Sequence, residues 1–163
     1  MKKYYFLLLG LLCYTATDTF AQKGVSLSFD QFISLKQAGS PTISPDGKHV
    51  IYTVTSTDWK ENSYDTELWL AREGEAPFQL TRTPKGSSTS ARWSPDGKWI
   101  SFLADRGDKT QLFVMSVAGG EAQQITKEDE GIGGYEWSPD GKKFAFTKNN
   151  PESKADKSRK EKY

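Results

Sequence analysis

The chain has 163 residues, enough for one modest domain, and its 22 basic and 21 acidic side chains nearly cancel. This balance argues against a polycation that binds nucleic acid and against a polyanion. Aromatic residues make up 13% of the sequence, which favours a fold rich in β-strands because aromatic side chains suit a pleated, half-buried surface.

The first 21 residues have the pattern of a secretory signal peptide. Lys2 and Lys3 precede an apolar run that is too short to span a membrane, and small side chains precede a cleavage point after Ala21. We therefore expect residues 1–21 to be removed and the protein to be periplasmic or secreted, with no membrane segment in the mature chain. Cys13 is the only cysteine, and its loss with the signal would leave no disulfide and no thiol chemistry.

Residues 22–40 are predicted to form an N-terminal extension with one short helix. Phe29, Phe32, Ile33 and Lys36 have helical spacing, which is typical of an amphipathic helix. We expect this helix to cap the edge of the domain that follows.

The sequence Ser-Pro-Asp-Gly-Lys occurs three times, beginning at Ser44, Ser94 and Ser138. Proline, aspartate and glycine in this order fit a type I turn followed by a left-handed glycine, which is a common β-hairpin connection. The three aspartates have one position in common, and we interpret them as turn residues rather than catalytic acids or ligands. They are Asp46, Asp96 and Asp140.

Strand-forming residues flank each of these turns. Apolar side chains stand at the third and fifth positions after each glycine, so each pair lies on one face of a strand. The pairs are Val50/Tyr52, Ile100/Phe102 and Phe144/Phe146. This spacing predicts three hairpins with the same buried face.

Further strand candidates follow the first two hairpins, namely "TELWLAR" and "FQLTRTP", then "TQLFVMS" and "QQITKED". The longer first unit is expected to carry its extra length in a polar loop, "STDWKENSYD". Four strands at a period of 50 and then 44 residues (94−44 and 138−94) are typical of a propeller blade, and a β-sandwich with similar hairpins is the alternative.

We therefore predict an all-β fold, an incomplete β-propeller with two four-stranded blades and the start of a third. The first blade would span residues 41–84, the second residues 85–128, and the start of the third residues 129–163. The last of these ends in a highly charged stretch without apolar periodicity, which we expect to be a solvated helix or a disordered loop inserted in the blade.

No catalytic, cofactor-binding or metal-binding residue is predicted. The sequence lacks the G-x-S-x-G pentad of a hydrolase nucleophile, and the serine-rich stretch at 86–91 lies where a connecting loop is expected. His49 is the single histidine and is expected on a strand surface. The acidic, glycine-rich residues 127–134 are expected in a loop between blades. Trp59 is the best candidate for an exposed recognition residue.

The repeat resembles that of TolB-type periplasmic propellers and of the prolyl oligopeptidase family. The residues that carry the resemblance are Trp93 to Lys98, Leu112-Phe113-Val114 and Ile125-Thr126, within a match from about Ser40 to Thr147. The order of signal, short helix and blades is most similar to the acylaminoacyl-peptidase and dipeptidyl-peptidase branch of that family. In this branch a propeller restricts the entry of peptides to a C-terminal α/β-hydrolase domain, which supplies the catalytic serine, aspartate and histidine.

The resemblance implies that the chain is the N-terminal propeller part of a secreted serine peptidase acting on peptides. Its partners would be a C-terminal hydrolase domain, lying beyond Tyr163, and peptide substrates, with no cofactor. The alternative implied by the same repeats is a non-enzymatic, TolB-like propeller that binds a protein partner.

Overall fold

The computed structural model of the chain describes residues 26–83, 86–107 and 109–148. The predicted signal peptide and the charged tail lie outside the described residues. Within the described residues there are one helix and ten strands: α1 Phe29–Ile33, β1 Gln37–Ile43, β2 His49–Asp58, β3 Ser63–Arg72, β4 Phe78–Gln79, β5 Ser88–Trp93, β6 Trp99–Ala104, β7 Gln111–Ser116, β8 Gln123–Gln124, β9 Ile132–Trp137 and β10 Phe144–Lys148.

The strands form three antiparallel sheets, each made of consecutive strands. Blade 1 is the four-stranded sheet β1-β2-β3-β4, and blade 2 is the four-stranded sheet β5-β6-β7-β8. Blade 3 consists of the pair β9 and β10 in the described part of the chain. The prediction of a partial β-propeller with two four-stranded blades and the start of a third is confirmed.

The short N-terminal helix is also confirmed, as α1. The Ser28 hydroxyl accepts a hydrogen bond from the Gln31 backbone, and the Gln31 side chain accepts one from the Ser28 backbone, which closes a capping box. The Thr57 hydroxyl of β2 donates to the Ile33 carbonyl at 2.5 Å and fixes the end of the helix on blade 1. Phe29 and Phe32 remain exposed.

The hairpin of β2 and β3 differs from the prediction of a long polar loop in blade 1. Both strands have ten residues, against six in the corresponding β6 and β7. The pairing continues out to Asp58 and Ser63, so only residues 59–62 form the connection. Asp58 accepts hydrogen bonds from two backbone amides of this connection. The segment is polar because it is a strand arm that projects into solvent.

The hydrophobic core lies between the blades, where alternate residues of each strand point to opposite neighbours. Blades 1 and 2 share one cluster, which contains Ile51, Leu68, Leu70, Ile100, Phe102, Ala104, Phe113 and Met115. Blades 2 and 3 share another, which contains Leu103, Leu112, Ile132 and Tyr135 with Phe144 packed against it.

This arrangement corrects the prediction that the three hairpins have the same buried face. Ile100 and Phe102 are fully buried against blade 1, whereas Val50 and Tyr52 are half-buried. Val50 and Tyr52 lie on the face of blade 1 that corresponds to the Ile100 face of blade 2. In the described part of the chain, no other blade packs against that face of blade 1. Ile51, on the opposite face, is the fully buried residue of β2.

The serine-rich stretch at 86–91 is a further correction, because β5 begins within it at Ser88. The Ser88 side chain is completely buried and lies 3.1 Å from the Thr83 hydroxyl. Serine is tolerated at this core position because its hydroxyl has that partner. The residues therefore form the first strand of blade 2.

Candidate functional site

The three Ser-Pro-Asp-Gly turns have nearly identical hydrogen bonds. In each turn the serine hydroxyl donates to the aspartate at 2.5 to 2.6 Å, and the backbone amide of the following lysine donates to the same oxygen at 3.1 Å. The glycines have positive φ angles of 74°, 71° and 67°, which confirms the predicted turn. Each aspartate carboxylate therefore accepts its hydrogen bonds from residues of its own turn.

These hydrogen bonds keep the three carboxylates ionised. The hydrogen bond from Ser44 is the main cause that lowers the pKa of Asp46, to about 2. Corresponding hydrogen bonds from Ser94 and Ser138 lower the pKa of Asp96 and of Asp140. A carboxylate with a lowered pKa is a poor proton donor or acceptor at neutral pH, so the geometry supports a structural role.

The same turns also form the joints between blades. Gly97 of blade 2 lies against Pro45 of blade 1, and Gly141 of blade 3 lies against Pro95 of blade 2, so that an added Cβ would be 3.5 and 3.4 Å from the proline ring. Gly47, the first glycine of the series, has no atom within 4 Å of such a Cβ among the described residues. Each of the first two turns therefore packs its proline against the next turn's glycine.

The tryptophans that precede the turns complete the joints. The Trp93 indole donates to the Thr42 carbonyl of blade 1 at 3.1 Å. The Trp137 indole donates to the Ser101 hydroxyl of blade 2 at 2.7 Å, and Ser101 in turn donates to the Arg92 carbonyl. Arg92 and Thr42 each lie two residues before the serine of a Ser-Pro-Asp-Gly turn. The second tryptophan is therefore linked to the equivalent carbonyl through the Ser101 hydroxyl, whereas Trp93 bonds to it directly. Trp93 and Trp137 therefore have the same packing role at successive joints.

A buried threonine hydroxyl forms the same pair of hydrogen bonds in each complete blade, an arrangement that we call the polar staple. The Thr81 hydroxyl accepts from the Leu68 amide and donates to Glu67, whose carboxylate also accepts from the Thr83 amide. In blade 2 the Thr126 hydroxyl accepts from the Leu112 amide and donates to Gln111. The sequence signal was the Leu-Thr or Ile-Thr pair at the end of each unit, whose staple role was not predicted.

An acidic pocket of about 410 Å³ lies at the other end of the blades, between the projecting arm of blade 1 and blade 2. Asp58, Asp65 and Asp105 line it together with Tyr64. Burial, and then the charges of Glu67, Asp58 and Asp105, raise the pKa of Asp65. One Asp65 oxygen is buried without a hydrogen-bond partner among the described residues. The pocket was not predicted because its acids come from two blades: Asp58 and Asp65 lie on β2 and β3, and Asp105 follows β6.

The remaining candidates from the sequence are not brought together. His49 begins β2 with its Nδ1 atom 3.5 Å from Asp46, as expected for a strand surface residue. Trp59 is 55% exposed at the tip of the arm, which confirms its exposure and leaves its recognition role a prediction. Residues 127–131 form the expected loop between blades, and β9 then begins at Ile132.

The described residues contain no group of three or more histidine, cysteine, aspartate or glutamate side chains arranged to hold a metal ion. Within the same residues, no helix has the length and apolar character needed to cross a membrane.

We expect the turn aspartates and Asp65 to affect stability with opposite signs as pH changes. Asp46 binds a proton less tightly in the folded chain, so its contribution is present above its ordinary pKa of 3.8 and is lost as pH falls towards 2. In urea unfolding, the parent chain should exceed Asp46→Asn in stability at pH 6, and this difference should shrink towards pH 2.

Asp65→Asn is the matched control, since the raised pKa of Asp65 makes its ionised form unfavourable in the folded chain. This variant should be more stable than the parent at pH 6, with a difference that also shrinks on acidification. Equal pH profiles for the two variants would contradict the assigned pKa directions.

Comparison with known proteins gives one family and several relatives. The family model described as the TolB beta propeller domain matches residues 28–161. Over 126 residues the chain is 35% identical to dipeptidyl-peptidase 5 of Porphyromonas gingivalis, covering 77% of this chain and 18% of that protein. Over 125 residues it is 34% identical to the uncharacterized peptidase YuxL of Bacillus subtilis, covering 74% of this chain and 19% of that protein.

A solved structure shows the same fold. The uncomplexed acylaminoacyl peptidase of Pyrococcus horikoshii superposes with a TM-score of 0.63 at 18% identity, over 76% of this chain and 19% of that chain. The chain thus spans less than a fifth of the length of each of these three proteins.

Proposed function

Because this chain belongs to the TolB β-propeller domain family, we propose that it is the propeller part of an exported serine peptidase that controls the access of peptides to a hydrolase domain. The observation that carries the proposal is the identity of 34% and 35% to two proteins named as peptidases. The described residues supply a scaffold of joined blades, and the nucleophile would come from the hydrolase domain of the whole protein.

The joints between blades support a role in access. Each joint combines a core cluster, a proline packed on a glycine and a tryptophan hydrogen bond, so neighbouring blades are held at a fixed angle. A ring closed from blades that are joined in this way would exclude large substrates from a site that it covers. A loosened joint would admit them. Export would follow from the signal pattern of residues 1–21.

The whole protein, expressed from its complete gene, tests the enzymatic part of the proposal. A fluorophosphonate probe should label one serine covalently, and blocked short peptides should be cleaved faster than a long unstructured polypeptide. Absence of both labelling and cleavage in a folded protein would refute a serine peptidase.

Access is tested separately with Trp93→Phe, which removes the hydrogen bond to Thr42 while it keeps an aromatic ring in the joint. We expect a higher rate on the long polypeptide relative to the short peptide. Phe146→Leu, at an exposed position of β10 in blade 3, is the control and should leave the ratio unchanged. An unchanged ratio in Trp93→Phe would count against control of access while leaving the peptidase assignment standing.

The second candidate is a non-enzymatic propeller that binds a protein partner. It is favoured by the TolB description of the matching family model. The two candidates differ in the coding sequence after codon 163, where a G-x-S-x-G pentad followed by aspartate and histidine supports the peptidase. Further propeller repeats followed directly by a stop codon would support the binding protein.

A further inference from the structure

A crevice of about 510 Å³ lies at the joint of blades 1 and 2, at the end of the blades that carries the Ser-Pro-Asp-Gly turns. Trp99, Val117 and Ala118 give it an apolar lining. Arg72 of blade 1 and Lys98 of blade 2 are its charged lining residues, and both are cationic. The crevice therefore combines an apolar surface with positive charge.

Trp99 is not required by the repeat. The corresponding residues after the other two turns are His49 and Lys143, whereas the joints are made by Trp93 and Trp137. Trp99 is 43% exposed at the start of β6. The other blades have polar residues at this position. The half-exposed Trp99 indole therefore offers apolar contact area for a ligand.

Arg72 is fixed in place but retains hydrogen-bonding capacity. Its guanidinium stacks over the Phe78 ring at 5.1 Å, with one nitrogen 3.4 Å from the Val117 carbonyl and the other 3.6 Å from Glu75. Both polar distances are at or beyond the long limit of a good hydrogen bond. A carboxylate that approaches the crevice would gain shorter, charge-assisted hydrogen bonds from this guanidinium.

We propose that this crevice binds an acidic peptide segment, with an apolar side chain against Trp99 and a carboxylate paired with Arg72 and Lys98. A peptide fits better than a nucleic acid or an anionic membrane. Those polyanions need an extended row of cations. Here Glu75 lies 3.6 Å from the Arg72 guanidinium, and the Asp96 carboxylate accepts from the Lys98 backbone amide, so acidic groups interrupt the positive charge. The site is independent of the acidic pocket and of any hydrolase activity.

The test uses the whole protein labelled with ¹⁵N-tryptophan and the blocked probe peptide acetyl-Glu-Leu-Glu-Phe-amide. The indole signal of Trp99, assigned as the one lost in Trp99→Phe, should shift in proportion to bound peptide. Arg72→Gln and Trp99→His should each weaken binding about tenfold, or about 1.4 kcal/mol. Isothermal titration calorimetry measures both variants, because Trp99→His lacks the reporting indole. Added salt should weaken binding because the paired charges are close to solvent.

Lys98→Gln and Lys48→Gln form a matched pair, because each lysine follows a Ser-Pro-Asp-Gly turn and only Lys98 lines the crevice. Binding should weaken in the first variant and stay unchanged in the second. The proposal is overturned if both variants weaken binding equally, or if the neutral peptide acetyl-Gln-Leu-Gln-Phe-amide binds as well as the acidic one. A Trp99 shift with anionic vesicles and none with the peptide would assign the crevice to a membrane instead. Backbone spectra of Arg72→Gln that match those of the parent show that its loss of binding is not a loss of fold.

Discussion

Replacing Phe102 by alanine is expected to lower the free energy of unfolding by about 3–5 kcal/mol, as for other large buried aromatic residues. Phe102 is fully buried, and its ring stacks on Phe113 with the centroids 5.8 Å apart. It belongs to the cluster that joins blades 1 and 2, so the cavity would open at the joint. Urea unfolding of the whole chain, followed by tryptophan fluorescence, measures the loss.

Phe146→Ala is the control for this experiment. The same side chain is removed, but Phe146 is 41% exposed on β10, so the loss should be less than half as large. Equal losses from the two substitutions would show that the joint between blades 1 and 2 is not where the chain obtains its stability.

The second large effect is expected for Gly131→Ala, which should lower the free energy of unfolding by about 2–5 kcal/mol. Gly131 has a φ of +70°, and a Cβ there would lie 2.8 Å from the Thr110 carbonyl oxygen and 3.2 Å from the Thr110 amide nitrogen. The left-handed backbone alone costs about 1–2 kcal/mol, and the backbone contact adds an overpacking cost of about 1–3 kcal/mol. The adjacent hydrogen bond from Ile132 to Thr110 would lengthen as well.

Gly74→Ala separates the two causes. Gly74 has nearly the same φ, +75°, and no atom within 4 Å of the added Cβ, so it carries only the backbone cost. A difference in denaturation midpoint between the two alanine variants measures the close approach of β9 to the loop between β6 and β7. No difference would mean that this approach is readily relaxed.

The repeat carried most of the fold information in the sequence. The Ser-Pro-Asp-Gly turns and the alternation after them predicted β1 to β3, β5 to β7 and the pair β9 and β10, because local turn chemistry and strand period fix these hairpins. The projecting arm was missed since Ser56, Thr57 and Asp58 carry no apolar alternation. Their strand pairing is set by the partner strand, which local composition does not reveal.

The sites were less predictable than the fold. Asp105 is about 40 residues from Asp65 in sequence and belongs to another blade, so its approach to Asp58 and Asp65 depends on how two blades pack. Trp99 follows a turn as any strand residue does, and its exposure beside Arg72 becomes evident only when the two blades are joined. The structural role of the turn aspartates could be predicted from the sequence, because each aspartate forms its hydrogen bonds with residues two positions away in the same turn.

The Ser101 hydroxyl at the second joint has a consequence for the order of the repeats. Ser101, which receives the Trp137 indole, occupies the repeat position that Ile51 occupies in blade 1. A recombinant chain with blade 3 directly after blade 1 would therefore place that indole against a hydrocarbon side chain. Although the joints look alike, each blade makes contacts that suit one particular neighbour. Duplicating a blade or changing the order of the blades along the chain would therefore break some of these contacts.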